Sequence, residues 1–151
     1  MQVTVQLALL CRQCGSQWSI ENPASSLIWI MPEMLALQRH CKPDEVMFHM
    51  CAYGAQSKKP TLIWASDRSL GSLRRTRPGN HRHVHLTGKV WSPEHNKLMW
   101  RTKLAQVYPD SLCLEWADLL SNSVAEQVEV APPDLPPANL AEEPMSVDEA
   151  L

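Results

Sequence analysis

A carboxylate and a carboxamide stand side by side at Glu21 and Asn22, between a short apolar stretch and a serine pair. The pattern predicts a strand over residues 17–20 that ends at this polar pair, followed by a helix that Ser25 and Ser26 could cap. In open α/β sheets, ligands gather at the ends of strands. An acid placed there among apolar residues can stay protonated near neutral pH and donate a proton. The alternative interpretation is that Glu21 is a solvated turn residue and Asn22 only a helix cap.

Cysteines and histidines offer a second kind of chemistry. Cys11 and Cys14 have the C-x2-C spacing of half a zinc site. Three alternating histidines could complete it: His81, His83 and His85. The apolar spacing over residues 2–14 predicts instead a helix with both thiols on its buried face, where free cysteine is common. That face would hold Val3, Leu7, Leu10, Cys11 and Cys14. We therefore assign no metal site. The histidines could instead contact phosphate or simply face solvent, and we favour solvent.

Charge is distributed unevenly along the 151 residues. Residues 126–151 hold seven acids and no Lys or Arg, so the rest of the chain holds nine acids against 14 bases. Within residues 58–103 there are 11 Lys or Arg and two acids. Such a basic block predicts an anionic partner, most often nucleic acid, and its alternative is a solvated basic face. The candidate DNA contacts are Lys58, Lys59, Arg74, Arg75, Arg77 and Arg82.

Several familiar motifs do not occur. The sequence holds no G-x-G-x-x-G or G-x-x-x-x-G-K-[ST] phosphate loop and no serine nucleophile elbow. We expect no signal peptide, because the N-terminal apolar run is broken by polar residues, and no stretch reaches membrane-spanning length. Five cysteines, an odd number, then predict a reduced intracellular protein, nuclear or cytoplasmic, with free thiols.

The remaining patterns predict an α/β domain over residues 1–124. Further strands are expected at residues 45–50, 61–66, 83–91 and 97–100, the last two as a hairpin. Pro32 lies inside an apolar helix pattern and should kink or split that helix. Another helix begins at Asp110, and its inner face would hold Leu112, Cys113, Trp116, Ala117, Leu119 and Leu120. Residues 125–151 are acidic and Pro-rich and predict a disordered tail, because they bury too little apolar surface to offset the entropy of ordering.

Three blocks, taken in order, resemble the later half of a cytosine-C5 DNA methyltransferase. Ile20-Glu21-Asn22-Pro23 resembles the family's Glu-Asn-Val segment, with Pro in the third position. Residues 51–61 resemble the Tyr-Gly segment that leads to Gln-x-Arg-x-Arg before a strand. The histidine stretch to Gly88, followed by residues 103–109, resembles the part that leads into the C-terminal helix. The resemblance covers residues 2–121.

The resemblance implies a partial Rossmann-like methyltransferase sheet of about three to five strands, flanked by helices. In this family, a cytosine flipped out of the duplex is attacked at C6 by a Cys thiolate, and C5 then takes the methyl group of S-adenosylmethionine. By resemblance, Glu21 would contact the base at N3 and assist by protonation, and Asn22 would fix the local geometry. Lys59, with Lys58 beside it, would help hold the site and the substrate.

The sequence departs from the family at positions that carry its chemistry. The two Arg of the second block correspond to Lys59 and Thr61, and Lys cannot reproduce a bidentate Arg contact. The 151 residues contain no Pro-Cys nucleophile loop and no Gly-rich cofactor loop. The resemblance therefore implies a fragment or degenerate remnant that alone neither binds S-adenosylmethionine nor methylates DNA, and that needs a chain supplying the missing half. The alternative is a nucleic-acid-binding module that uses residues 58–103 without chemistry.

Overall fold

Helices lie on both faces of a small antiparallel sheet. The structure is a computed structural model and describes residues 2–76, 79 and 81–130, without the side chains of residues 104 and 125–130. The helices are α1 (Gln2–Gln13), α2 (Pro32–Cys41) and α3 (Asp110–Val130). The strands are β1 (Ser19–Pro23), β2 (Asp44–His49), β3 (Pro60–Ala65), β4 (Lys89–Ser92) and β5 (Lys97–Trp100). Short 3-10 helices cover Leu27–Ile30, Met50–Tyr53, Arg68–Leu73 and Arg101–Gln106.

The main sheet has the order β1-β3-β2, and β3 is antiparallel to both neighbours. β1 and β2 therefore run parallel to each other, joined by a crossover through α2, with β3 inserted between them. Pro23 pairs with Thr61, and His49 pairs with Pro60. The last residues of β1 and β2 therefore lie beside the first residues of β3, at the same end of the strands. The predicted mixture of helices and strands is confirmed as small antiparallel sheets with helices.

Each face of the sheet carries its own hydrophobic core, because successive side chains of a strand point to opposite sides. On β3, Ile63 and Ala65 face one core, and Leu62 and Trp64 face the other. The first core contains Val46, Phe48, Met50, Tyr53, Leu70, Leu73 and Leu112, with Tyr108 packed against it. The second contains Ala8, Trp29, Met34 and Leu37, with Val5, Leu9 and Ile20 packed against it.

The predicted buried face of α1 is wrong. Val3, Leu7 and Leu10 are 67%, 56% and 52% exposed, whereas Ala8 is buried and Val5 packs beside it. α1 has a second apolar stripe, formed by Val5, Ala8 and Leu9. Helical spacing identifies both stripes but does not show which one packs against the rest of the protein. The contacts with α2 and the sheet select the second stripe.

Proline and glycine act as the sequence predicts. Pro32 divides the predicted helix into the 3-10 helix Leu27–Ile30 and α2, of which it is the first residue. The Ser26 hydroxyl accepts from the Ile28 N–H and caps the 3-10 helix. Gly15 and Gly54 take φ of +66° and +94° after their helices, a conformation that glycine adopts without strain.

The second half of the chain differs from the prediction in three places. The strand expected at 83–91 is confined to Lys89–Ser92, because residues 81–87 cross the loop after β2, where the Val84 N–H donates to the Gln56 carbonyl. On α3, Cys113 and Ala117 are exposed. The helix also continues to Val130, beyond the predicted start of the tail at 125.

The predicted disorder of residues 131–151 lies outside the described residues. Within the described ranges, no helix combines the length and apolarity needed to cross a membrane.

Candidate functional site

The carboxylate of Glu21 lies on β1, on the face of the sheet that carries the first core. Its cross-strand neighbour is Ile63, and the Tyr108 hydroxyl donates to Glu21 Oε2 at 2.5 Å. Glu21 Oε1 is buried and has no hydrogen-bond partner among the described residues. Since buried polar atoms are nearly always paired, this oxygen is an unsatisfied acceptor among the described residues.

Tyr108 is held between Glu21 and Lys59. The Lys59 ammonium lies 5.0 Å from the centre of the Tyr108 ring and donates to the Ala105 carbonyl at 3.1 Å. An ammonium above an aromatic ring is attracted by the negative face of the ring. Lys59 also has a φ of +25°, which is uncommon for a residue with a side chain and costs of order 1–3 kcal/mol.

The pKa of Tyr108 is raised far above its ordinary value. Burial is the largest cause, followed by the hydrogen bond to Glu21 and the charge of that carboxylate. All three disfavour a phenolate, so Tyr108 remains a donor to Glu21 Oε2 at any physiological pH.

Three segments that are far apart in sequence thus meet at this site. Glu21 comes from the first of the blocks described above, Lys59 from the second, and Ala105 and Tyr108 from the third. Sequence reasoning named Glu21 and Lys59 and missed Tyr108. Tyr108 precedes Pro109-Asp110, a pattern that indicates only the start of a helix.

A cleft of about 270 Å³ lies beside this contact. Lys59 and Tyr108 belong to its wall, together with polar and apolar groups from the loop after β2 and from residues 84–86 and 105–109. Its remaining lining residues are Met50, Gly54, Ala55, Gln56, Ser57, Val84, Leu86, Ala105, Val107 and Pro109.

The Asn22 side chain lies on the other face of the sheet from Glu21, and its predicted role in fixing the local geometry stays a prediction. Glu21 and Asn22 are consecutive residues within β1, so their side chains point to opposite faces of the sheet. Asn22 lies opposite Leu62, on the face of the second core. The pair therefore lies inside the strand instead of just beyond its end.

Of the predicted DNA contacts, some form ion pairs with acidic side chains and others are exposed. Arg74 pairs with Asp44 at 3.2 Å, and Arg75 pairs with Glu115 at 2.8 Å. Lys58 and Arg82 are exposed. Arg77 lies outside the described residues. The role of all these residues in binding DNA stays a prediction.

The β4–β5 hairpin has an exposed aromatic face. Lys89 pairs with Trp100 and Trp91 with Leu98, so these four side chains lie on the same side of the ribbon. Trp91, Leu98 and Trp100 are 53%, 62% and 57% exposed. The Lys89 ammonium lies 4.9 Å from the centre of the Trp100 ring.

Cys11 and Cys14 do not lie with the histidines, as a zinc site built on their C-x2-C spacing would require. Among the described residues, Cys11 and Cys14 belong to no group of three or more His, Cys, Asp or Glu side chains close enough to share an ion. Cys51, His81 and His83 form such a group. His-x-His spacing was visible in the sequence, but nothing in it pointed to Cys51.

The chain matches no family model, no curated protein sequence and no solved structure. Its function is therefore inferred from the geometry around Glu21 and from the resemblance of the three blocks that meet there.

Proposed function

We propose that the chain carries the base-recognition part of a cytosine-C5 DNA methyltransferase-like domain, and that the 151 residues alone do not methylate DNA. The observation that carries this proposal is the state of the Glu21 carboxylate. One oxygen is held by Tyr108 and the other is a buried acceptor without a partner among the described residues. The exocyclic amine of cytosine is a donor that a Glu oxygen accepts from, and thymine has no such group.

The convergence of the three blocks supports the resemblance. Residues separated by up to 87 positions contact one another, and each comes from a different block. Parallel β1 and β2 with helices on both faces of the sheet are also compatible with part of a Rossmann-like sheet. The finer fold, like the function, is part of the proposal.

Each residue has a role that follows from its position. Glu21 would accept from the amine of a flipped cytosine and share a proton with N3, which stabilises negative charge that develops on the ring. Tyr108 would fix the orientation of that carboxylate. Lys59 would hold the Tyr108 ring in place through its ammonium, which lies 5.0 Å from the centre of that ring.

S-adenosylmethionine does not fit the residues present. The cleft of about 270 Å³ is below the range of about 300–1,000 Å³ of pockets that hold drug-sized ligands. No glycine-rich loop of the kind that accommodates a nucleotide occurs in the sequence. We derive no step through this cofactor, and the proposed role of the chain ends at recognition of the base.

Two features are in keeping with a partner that supplies the rest of the domain. β1 is an edge of the sheet, so it presents backbone groups that another strand could pair with. On α1, Val3, Leu7 and Leu10 form an exposed apolar stripe. A partner strand paired with β1 would lie beside Glu21, where the nucleophile is needed, whereas a partner docked on α1 would cover the opposite face of the sheet.

The test compares two DNA duplexes that differ in one extrahelical base, cytosine or thymine. We expect the wild-type chain to prefer cytosine by about 5- to 150-fold, the value of about 1–3 kcal/mol for a specific base contact. Glu21→Met keeps the length of the side chain and removes its acceptors, so the preference should vanish while affinity for the thymine duplex changes little. Fluorescence anisotropy at constant salt measures both affinities.

Glu94→Met is the matched control, because Glu94 is an exposed acid in the hairpin turn. It should keep the preference for cytosine. Equal affinity of the wild type for both duplexes, or a preference that survives Glu21→Met, contradicts base recognition by Glu21. Methyl transfer by the purified 151-residue chain would contradict the proposed inactivity.

The alternative function, binding of nucleic acid without chemistry, is favoured by the aromatic face of the β4–β5 hairpin. Single-strand binding proteins combine exposed aromatic rings, on which bases stack, with cations that neutralise phosphates. Trp91, Trp100 and Lys89 provide both on one face. This surface involves neither Glu21 nor the cleft lining, so it can be tested separately.

Trp100→Ala is expected to weaken binding of single-stranded DNA by about 5- to 150-fold, since stacking contributes about 1–3 kcal/mol per base. Leu114→Ala, which removes another exposed apolar side chain from α3, should leave the affinity unchanged. Titrations at several salt concentrations should show affinity falling as salt rises. An affinity that Trp100→Ala does not alter excludes this face as the binding surface.

A further inference from the structure

A thiol and two imidazoles meet where residues 81–83 cross the loop after β2. One ligand atom from each of Cys51, His81 and His83 lies within 4.8 Å of the other two. Cys51 is 7% exposed, and the rings of His81 and His83 have centres 4.4 Å apart. This group shares no residue with the contact between Glu21, Lys59 and Tyr108.

Backbone contacts hold both segments in place. Cys51 lies in the 3-10 helix Met50–Tyr53, whose end is fixed by the Gly54 N–H donating to the carbonyls of Met50 and Cys51. The Val84 N–H, one residue after His83, donates to the Gln56 carbonyl at 2.9 Å. The fold, and not spacing along the chain, therefore brings Cys51 to His81 and His83.

The distances are close to those of a metal centre. Metal–ligand bonds of about 2.0–2.3 Å separate the ligand atoms of a tetrahedral site by roughly 3.3–3.6 Å. Small side-chain rotations, closing the longest separation by about 1 Å, would bring the group into that range. One thiolate with two imidazoles selects zinc and similar transition metals over magnesium or calcium, which prefer oxygen ligands.

We propose that Cys51 Sγ and one ring nitrogen each of His81 and His83 bind a zinc ion, with the fourth position open to solvent. The ion ties the segment around His83 to the 3-10 helix that contains Cys51. Met50 and Val84, the sequence neighbours of Cys51 and His83, line the cleft. Zinc binding therefore fixes two walls of the cleft relative to each other.

Cobalt(II) is the probe, because its spectrum reports both geometry and ligand type. Reduced wild-type protein titrated with cobalt(II) should develop the strong visible bands of tetrahedral coordination and a thiolate-to-metal charge-transfer band. Zinc should displace the cobalt and abolish both. Cys51→Ser and His83→Gln should each lower the affinity for zinc by more than about 100-fold, since even changes to groups behind the ligands cost about 10- to 100-fold.

Matched controls are available for both ligand types. Cys113→Ser removes an exposed thiol, and His85→Gln removes an exposed imidazole two residues from His83. Both should bind cobalt like the wild type. If Cys51→Ser does not fold, His83→Gln decides the result, since it changes a half-buried side chain in a segment without regular structure.

Absence of the charge-transfer band in the wild type overturns the proposal. So does a band that persists in a folded Cys51→Ser or His83→Gln variant, because the thiolate or the imidazole would then come from elsewhere. Loss of the band in Cys113→Ser would assign the metal to a different cysteine and would also contradict the site. None of these results depends on whether the chain recognises cytosine.

Discussion

Phe48→Ala is expected to lower the free energy of unfolding by about 3–5 kcal/mol, the cost of removing a fully buried aromatic side chain. Phe48 is completely buried on β2, and its ring packs edge-on against Tyr53 with centres 5.5 Å apart. The Tyr53 hydroxyl donates to the Leu73 carbonyl at 2.7 Å. Truncating Phe48 therefore leaves a cavity and loosens the 3-10 helix that contains both Tyr53 and Cys51.

Urea denaturation measures this effect. The urea concentration at the midpoint of unfolding should fall, while the slope of the unfolding free energy against urea concentration stays unchanged. Met47→Ala is the matched control, because Met47 is the preceding residue of β2, points to the opposite face and is 44% exposed. It should cost about 1 kcal/mol or less, as surface substitutions do. Equal losses for the two variants would show that the first core does not lie where the register of β2 places it.

Tyr108→Phe is expected to destabilise the protein by about 1.5–3 kcal/mol, the contribution of a hydrogen bond to a charged group. The variant keeps the ring beneath Lys59 and removes only the hydroxyl that donates to Glu21 Oε2. Oε2 then loses the donor that Tyr108 supplies, and Oε1 already has no donor among the described residues. The protein loses stability because the Glu21 carboxylate stays partly buried, away from water, without the hydrogen bond that offsets its desolvation.

A double-mutant cycle separates this pair from general damage. Glu21→Met in the Tyr108→Phe background should recover part of the lost stability, because replacing both partners by apolar groups of similar shape is nearly neutral. Independent, additive losses for the two substitutions would contradict the coupling between Glu21 and Tyr108. Chemical denaturation of the four proteins at pH 7 provides the measurement.

The same pair has a signature at alkaline pH. The folded-state pKa of Tyr108 is raised above its unfolded value of about 10, so the fold binds this proton more tightly than the unfolded chain does. The associated stability is fully present below pH 10 and is lost as pH rises through the folded pKa. Stability should fall above pH 10 by up to about 1.4 kcal/mol per pH unit for this group, and Tyr108→Phe should fall less steeply. Tyr53, whose pKa is also raised by burial, leaves a residual slope in the variant.

Local structure could be predicted wherever its cause is local. Pro32 removes a backbone donor, so it divided a helix at the expected place. Gly54 closes a turn with positive φ, and short runs of apolar, β-branched and aromatic residues marked β2 and β3 to within one residue at each end. These effects depend on a residue and its immediate neighbours, which the sequence contains in full.

The candidate site could be predicted only in part. Glu21 was identified from its place at a predicted strand end and Lys59 from the basic block, and the resemblance to a known family implied a role for each, but neither argument identified Tyr108 as the donor. Neither showed that Asn22 points away from Glu21. The hydrogen bond between Glu21 and Tyr108 spans 87 residues, and no periodicity along the chain encodes a contact of that separation.

The sequence by itself determined the mixture of helices and strands, the positions of most elements and the concentration of basic residues between 58 and 103. Only the tertiary structure decided which stripe of α1 is buried, which oxygen of Glu21 is held, and that Cys51 meets His81 and His83. The physical reason is that hydrogen bonds and packing act over a few ångströms. Residues distant in sequence can interact only after the sheet and its crossovers have brought them together.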